Sequence, residues 1–198
     1  MATIDYYFTL NSPWSYMGSA RFAEIAKRHG AVVNVKPAKF GEIFSQTGGL
    51  PLPKRAPARQ RYRLMEIKRW PEHLSIPLIS QPKNFPSDEA KGTRLVLAAA
   101  QSGKDALSLA TEIGRALWEN DENFGEDAVL DAAAERAGLN AAELRLVASD
   151  AELDARHNAF TAEALERGVF GAPSYVLPSG EFFWGQDRLE FLDRALAS

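Results

Sequence analysis

The chain opens on an almost unbroken apolar run, Ile4-Asp5-Tyr6-Tyr7-Phe8-Thr9-Leu10. β-branched and aromatic residues of this kind predict a strand. Tyr16, Ala20, Phe22, Ala23, Ile25 and Ala26 then recur at helical spacing, and that pattern stops at His29-Gly30. Residues 31–38 alternate with period two and predict a second strand, which Pro37 either ends or confines to a sheet edge. A helix between two strands returns the chain to the same end of the sheet, so the expected pair is parallel. Residues 40–57 are rich in Gly and Pro and read as a loop carrying only the short segment Ile43-Phe44. Beyond it the spacing is helical almost throughout, with helices expected at 58–73, 88–101, 104–118, 126–137, 141–147 and 150–166. Residues 174–177 and 181–184, joined by Pro178-Ser179-Gly180, predict a hairpin. Asp187 then opens a last helix, as its N-cap, with Leu189, Phe191, Leu192, Ala195 and Leu196 at the apolar positions.

A β-α-β beginning and a β-β-α end, separated by helices, make an α/β chain with a large helical insertion in one sheet-bearing unit. With 45% hydrophobic and 25% charged residues, the composition is that of an ordinary soluble globular protein. A net charge of -3 gives no overall field that would draw the chain to nucleic acid or to a membrane. Cysteine is absent, which removes disulfides, thiolate metal sites and protein-thiol redox chemistry together. The start, Met-Ala-Thr-Ile-Asp, has neither a basic region nor a continuous apolar one. The expectation is therefore no signal peptide, no membrane span and a cytoplasmic location. His29, His73 and His157 lack metal-ligand spacing, and Gly125 is out of register for a calcium loop at 120–126, so no metal site is expected.

Chemistry concentrates at two places. Asn11-Ser12-Pro13-Trp14-Ser15-Tyr16 joins the first strand to the first helix, with Ser12 at the cap position and Pro13 where its missing N–H costs nothing. Such a terminus carries unpaired N–H groups and about half a positive charge, which favours an anion. Taken alone, Ser12 reads as an N-cap. The second place is Gly168-Val169-Phe170-Gly171-Ala172-Pro173-Ser174, a turn feeding a β-branched and aromatic run.

Together with the terminal Trp184-Gly185-Gln186-Asp187-Arg188-Leu189, these motifs resemble the thioredoxin-like framework over nearly the whole chain. The similarity is to the branch holding the 2-hydroxychromene-2-carboxylate isomerases and kappa-class glutathione transferases, related to the DsbA oxidoreductases. Ser12 and Ser15 stand where that framework has the cysteines of C-x-x-C. The resemblance implies a thioredoxin-like domain from 1–39 and 168–198, with 40–167 as the inserted helical domain. It also implies glutathione as cofactor and a homodimer as the assembly to expect.

By the same resemblance, Ser12 donates a hydrogen bond to the glutathione thiolate. A free thiol has a pKa of about 8.5 and is only a few per cent ionised at neutral pH, so a donor and a helix N-terminus raise its nucleophilic fraction. Ser15 has a supporting, structural role. Pro173 is expected to be cis, turning the Ala172 backbone towards the cysteinyl unit; a plain trans-proline at a strand entrance is the alternative. Gln186 and Asp187 match the segment that recognises the γ-glutamyl end, while Asp187 also reads as a simple cap. The basic stretch Lys54, Arg55, Arg59, Arg61, Arg63, Lys68 and Arg69 reads as a solvated helix face and not as a nucleic-acid site. Within it, Arg59 aligns with a glutathione-contacting lysine of the kappa class and is the candidate for the glycyl carboxylate or an anionic substrate. Trp14 is the candidate wall of the substrate pocket.

Two departures accompany these matches. The chain reads Thr47-Gly48-Gly49-Leu50-Pro51 where the kappa pattern has Asn-Lys-Pro-Pro, and Asp88 stands where many relatives carry Asn. The implied activity is isomerisation of a small aromatic carboxylate such as 2-hydroxychromene-2-carboxylate, by reversible thiolate addition and elimination. The alternatives are a kappa-like transferase conjugating an electrophile, or a thioredoxin-fold binding module without catalysis.

Overall fold

Strand β1 (Thr3–Phe8) lies inside a four-stranded sheet of order β2-β1-β3-β4. The computed structural model describes residues 2–197. β1 pairs in parallel with β2 (Val32–Pro37), from Thr3 opposite Val32 to Phe8 opposite Pro37. On its other side it runs antiparallel to β3 (Ser174–Val176), with Tyr6 opposite Tyr175. β3 in turn pairs antiparallel with β4 (Phe182–Trp184). β2 is an edge strand, which is how Pro37 is tolerated at its end.

Both faces of β1 are covered, so its sequence is nearly continuously apolar where a half-exposed strand would alternate. Ile4, Tyr6 and Phe8 face the larger core, made with α1 (Pro13–Arg28), α4 (Ala90–Gln101), α5 (Ala106–Trp118), α6 (Asp127–Arg136) and α9 (Leu189–Leu196). Tyr6, Phe8, Phe22 and Tyr175 form its aromatic centre, with ring centroids 4.7–5.4 Å apart. Tyr7 faces the opposite core with Phe40, Ile43, Ala164, Val169 and Val176. Asp5 is the polar exception in the strand. It is neutralised by Lys36 at 3.0 Å and Arg167 at 3.3 Å, and accepts from the Asn34 amide at 2.8 Å.

The long helices fall within two residues or so of their expected ends: α3 (Pro57–Leu74), α4, α5, α6 and α8 (Asp150–Glu166). The helix α7 (Ala141–Leu144) is shorter than expected. The 40–57 stretch departs further. Phe40–Thr47 is a helix, α2, closed by Gly48 at φ 76°. It has no side-chain cap, and burial of Phe40 and Ile43 against Tyr7 and Val176 holds it. Asp187 also departs from expectation. It lies within a 3-10 turn, Gln186–Arg188, and α9 starts only at Leu189, so Asp187 is not the helix cap. Of the apolar positions expected in α1, Ala20 and Ala23 are exposed.

The β-α-β start and β-β-α finish of a thioredoxin-like fold are thus present, with the intervening helices between them. We retain 40–167 as the proposed insertion. Its first and last helices, α2 and α8, cover the second face of the sheet, and Lys36 reaches Glu163 of α8 at 2.6 Å. Among the described residues no helix is long and apolar enough to cross a membrane.

Candidate active site

β1 ends at Phe8, and the chain turns through Thr9–Ser12 to start α1, with the Ser12 N–H donating to the Thr9 carbonyl at 3.1 Å. Ser12 has extended backbone angles, and its Oγ accepts from the Ser15 N–H at 3.1 Å while Pro13 occupies the first helical position. This is the expected N-cap. The hydroxyl proton is a separate resource: no acceptor among the described residues takes it, so Ser12 can cap with its oxygen and donate with its hydrogen. Ser15 faces inward instead. Its Oγ is buried, without a hydrogen-bond partner among the described residues, and lines a small cavity with Tyr6, Ser19 and Thr111.

The turn that carries Ser12 is tied down from the α3–α4 connection. The Asn11 side chain donates to the Ser87 carbonyl at 2.9 Å and accepts from the Ser87 N–H at 3.0 Å. Thr9 Oγ1 donates to Glu89 Oε2 at 2.5 Å, and the Asn11 N–H reaches the same oxygen at 3.4 Å. Burial pushes the Glu89 carboxyl up from its ordinary value, and the bonds from Thr9 and Asn11 oppose that rise. One turn into α1, the Tyr16 hydroxyl donates to Glu119, which fastens the helix to the end of α5. Burial first, then Glu119, pushes that hydroxyl up.

The Ala172–Pro173 peptide is cis, as expected. Since Ser174 pairs with Tyr7, the register sets Ala172 and Pro173 at the carboxyl end of β1, the end from which α1 springs. Ser12, Ala172 and Pro173 therefore share one end of the sheet. The Gly185 N–H donates to the Pro173 carbonyl at 2.9 Å, which brings the Gln186–Arg188 turn beside the same loop. That turn packs on α1 at Gly18, where an added Cβ would lie 2.9 Å from Gln186 Cβ. The Gln186 side chain is buried and bonded to Arg21, which also donates to its carbonyl at 3.2 Å, so only its backbone N–H is left for a ligand. Asp187 is partly exposed, with one carboxylate oxygen 2.8 Å from Arg188. Trp14 is half-buried in the first turn of α1.

Arg59 sits exposed in the first turn of α3, with no carboxylate partner among the described residues. Its neighbours are more informative. Arg55 lies over the Phe44 ring at 5.7 Å and bonds the Leu50 carbonyl at 2.7 Å, and Arg63 lies over the Phe85 ring at 5.5 Å. Burial pushes the Arg63 guanidinium down to about 10, with the charge of Arg55 adding to the effect. Burial, then Arg59, lowers Arg55. Sequence reasoning selected Arg59 alone and missed Arg55, Arg63, Asn11 and Ser87. For the arginines a signal existed: residues 43–65 contain no Asp or Glu, so these cations have no local partner. For Asn11 and Ser87, so far apart in sequence, there was none.

Comparisons with known proteins concern the chain as a whole. The 2-hydroxychromene-2-carboxylate isomerase of Sphingobium xenophagum is 30% identical over 197 residues, covering 98% of this chain and 97% of that protein. Glutathione S-transferase kappa 1 of Rattus norvegicus is 25% identical over 201 residues, covering 96% and 88%. Among solved structures, a 2-hydroxychromene-2-carboxylate isomerase superimposes with a TM-score of 0.79 at 24% identity, covering 98% of this chain and 94% of that one. The DSBA-like thioredoxin domain matches residues 3–197. The chain belongs to the DSBA-like thioredoxin family, in the branch of the 2-hydroxychromene-2-carboxylate isomerases and kappa-class glutathione transferases.

Proposed function

We propose that this protein is a glutathione-dependent isomerase of a small unsaturated aromatic carboxylate of the 2-hydroxychromene-2-carboxylate type. The observation that carries the reading is the Ser12 hydroxyl, whose oxygen accepts from Ser15 while its proton is uncommitted at a helix N-terminus, in a chain without cysteine. When bound, glutathione supplies a thiolate that adds reversibly to a conjugated carbon, makes the blocked double bond transiently single, and leaves again.

The residues fit such a tripeptide. Ser12 donates to the sulfur anion, and the start of α1 adds its positive potential. The Ala172 backbone beside Pro173 pairs with the cysteinyl unit in the manner of an added strand. Asp187 accepts from the γ-glutamyl ammonium, and the first N–H groups of its turn meet the carboxylate beside it. Arg59 takes the glycyl carboxylate. Trp14 walls the slot in which the ring turns, away from water. The site needs no general base on the protein, because Ser12 lowers the thiol's pKa instead of removing its proton. The working location on this reading is the cytoplasm, where reduced glutathione is available.

The test is incubation with glutathione and a chromene carboxylate, followed by absorbance and mass. The expected outcome is isomerisation with catalytic glutathione and no gain of mass. Stoichiometric consumption with a heavier product would establish a kappa-like transferase. Neither change, together with no thermal shift at millimolar glutathione, would leave a binding module at most.

A further inference from the structure

We propose that Arg63, with Arg55 beside it, is a second anion site, which receives the carboxylate of the organic substrate and so restricts the enzyme to carboxylates. The inference rests on the reading of Ser12 as the thiolate donor and adds the residue that selects the second substrate.

Bases on α3 fall into two kinds. Arg61 and Lys68 are exposed and solvated, and Arg69 pairs with Glu66 at 2.7 Å. Arg63 differs from these: it is half-buried, and among the described residues it has neither an ion pair nor a hydrogen bond. Its guanidinium lies over the ring of Phe85. A cation withdrawn from water without a partner is costly, and a second cation nearby raises the cost, as the depressed pKa of Arg63 reports. An incoming carboxylate would relieve both. A guanidinium that contacts only a ring spends none of its N–H groups there, and they can grip a carboxylate with two bonds.

The position is suitable as well as the charge. Phe85 is fixed by stacking on Trp118, with centroids 5.2 Å apart, and by the neighbouring Asn84, whose N–H donates to Asp121 Oδ1 at 3.1 Å. Asp121 makes no ion pair with Arg63 among the described residues. Two residues beyond Phe85, Ser87 makes its paired bonds with Asn11, the residue before Ser12. Contacts thus run from Arg63 through Phe85 and Ser87 to Asn11, the neighbour of the thiolate donor. Arg59, exposed at the first turn of the same helix, is left for the glycyl end of glutathione.

The experiment uses the full chain with Arg63→Met, which keeps bulk against Phe85, and Arg63→Lys, which restores charge without the fork. Glutathione affinity and the pKa of the bound thiol are measured by titration. Cinnamate and neutral cinnamide are titrated in its presence without turnover, and kinetics are run on chromene carboxylate and its methyl ester. Arg63→Met is expected to weaken cinnamate and raise the carboxylate KM by about 10–100-fold, leaving cinnamide, the ester, glutathione affinity and thiol pKa unmoved. Arg63→Lys should recover part of the loss. Weakened glutathione with unchanged cinnamate would overturn the proposal, as would equal loss for cinnamate and cinnamide. Should Arg63→Met fail to fold, wild type decides: cinnamate must bind more tightly than cinnamide and weaken with salt, and equal, salt-independent binding overturns the site. If wild type binds cinnamate but no glutathione, the thiolate reading fails while the anion site stands.

Discussion

At the scale of single residues, Ser12 is asked to do two things, and substitution separates them. Ser12→Ala removes the donor to the thiolate but leaves the N–H groups and dipole of α1 in place. A hydrogen bond to a charged group is worth roughly 1.5–3 kcal/mol, so the bound thiol's pKa is expected to rise by about 1–2 units. The rate at neutral pH should fall about 10–100-fold and recover in part at alkaline pH. Loss of the bond to the Ser15 N–H should lower stability by about 1 kcal/mol. Ser15→Ala should leave the thiol titration almost unmoved, since the buried Ser15 Oγ lines a small cavity. A thiolate titration unchanged by Ser12→Ala, with a lowered melting point, would reduce Ser12 to a cap. The capping role was legible in the sequence because an N-cap is a local pattern. The role of Arg63 was not, because a free and a solvated arginine look alike until burial and partners are known.

At the scale of elements, the joint between α1 and the Gln186–Arg188 turn is the most exacting. Gly18 lies under that turn, and a Cβ there would stand 2.9 Å from Gln186 Cβ and 3.1 Å from the Tyr175 hydroxyl. Gly18→Ala gains about 1 kcal/mol of helix propensity, but forcing a methyl into a packed joint costs about 1–3 kcal/mol. The expected net loss is about 0–2 kcal/mol, with a larger loss of glutathione affinity, because the turn carrying Asp187 must move off α1. Denaturant melts and calorimetry on the same variant check this; tighter glutathione binding by Gly18→Ala would show that the turn is not part of the site. The elements themselves were read from periodicity almost wholly. α2 escaped because it has no cap signal and carries Gly41, and only the core formed by Tyr7, Ala164 and Val176 makes its Phe40 and Ile43 pay as a helix.

At the scale of the whole molecule, two half-buried titrating groups set opposite trends of stability with pH. Glu89 has a raised pKa, from burial first, so the folded chain holds its proton where the unfolded one has lost it. Its contribution therefore falls as pH rises from about 4.3 through the raised value. His157 is lowered by burial and then by Lys39, with Asp154 and Glu42 opposing, so its contribution falls as pH drops from about 6.5 through the lowered value. Glu89→Gln keeps an acceptor for Thr9 and should gain stability relative to wild type as pH rises; urea midpoints across that range check it. A difference that does not vary with pH would show that Glu89 titrates alike in both states. By itself the sequence determined the β-α-β opening, the long helices, the closing hairpin and the capping serine. Each of these follows from spacing or turn chemistry within a few residues. Only the tertiary structure decided that Phe40–Thr47 is a helix, that Asp187 does not cap α9, that Asn11 locks to Ser87 and that Arg63 stands against Phe85 with no carboxylate partner among the described residues. Those facts depend on which segments the sheet order and the helix packing bring together, and a one-dimensional pattern carries no record of such distances.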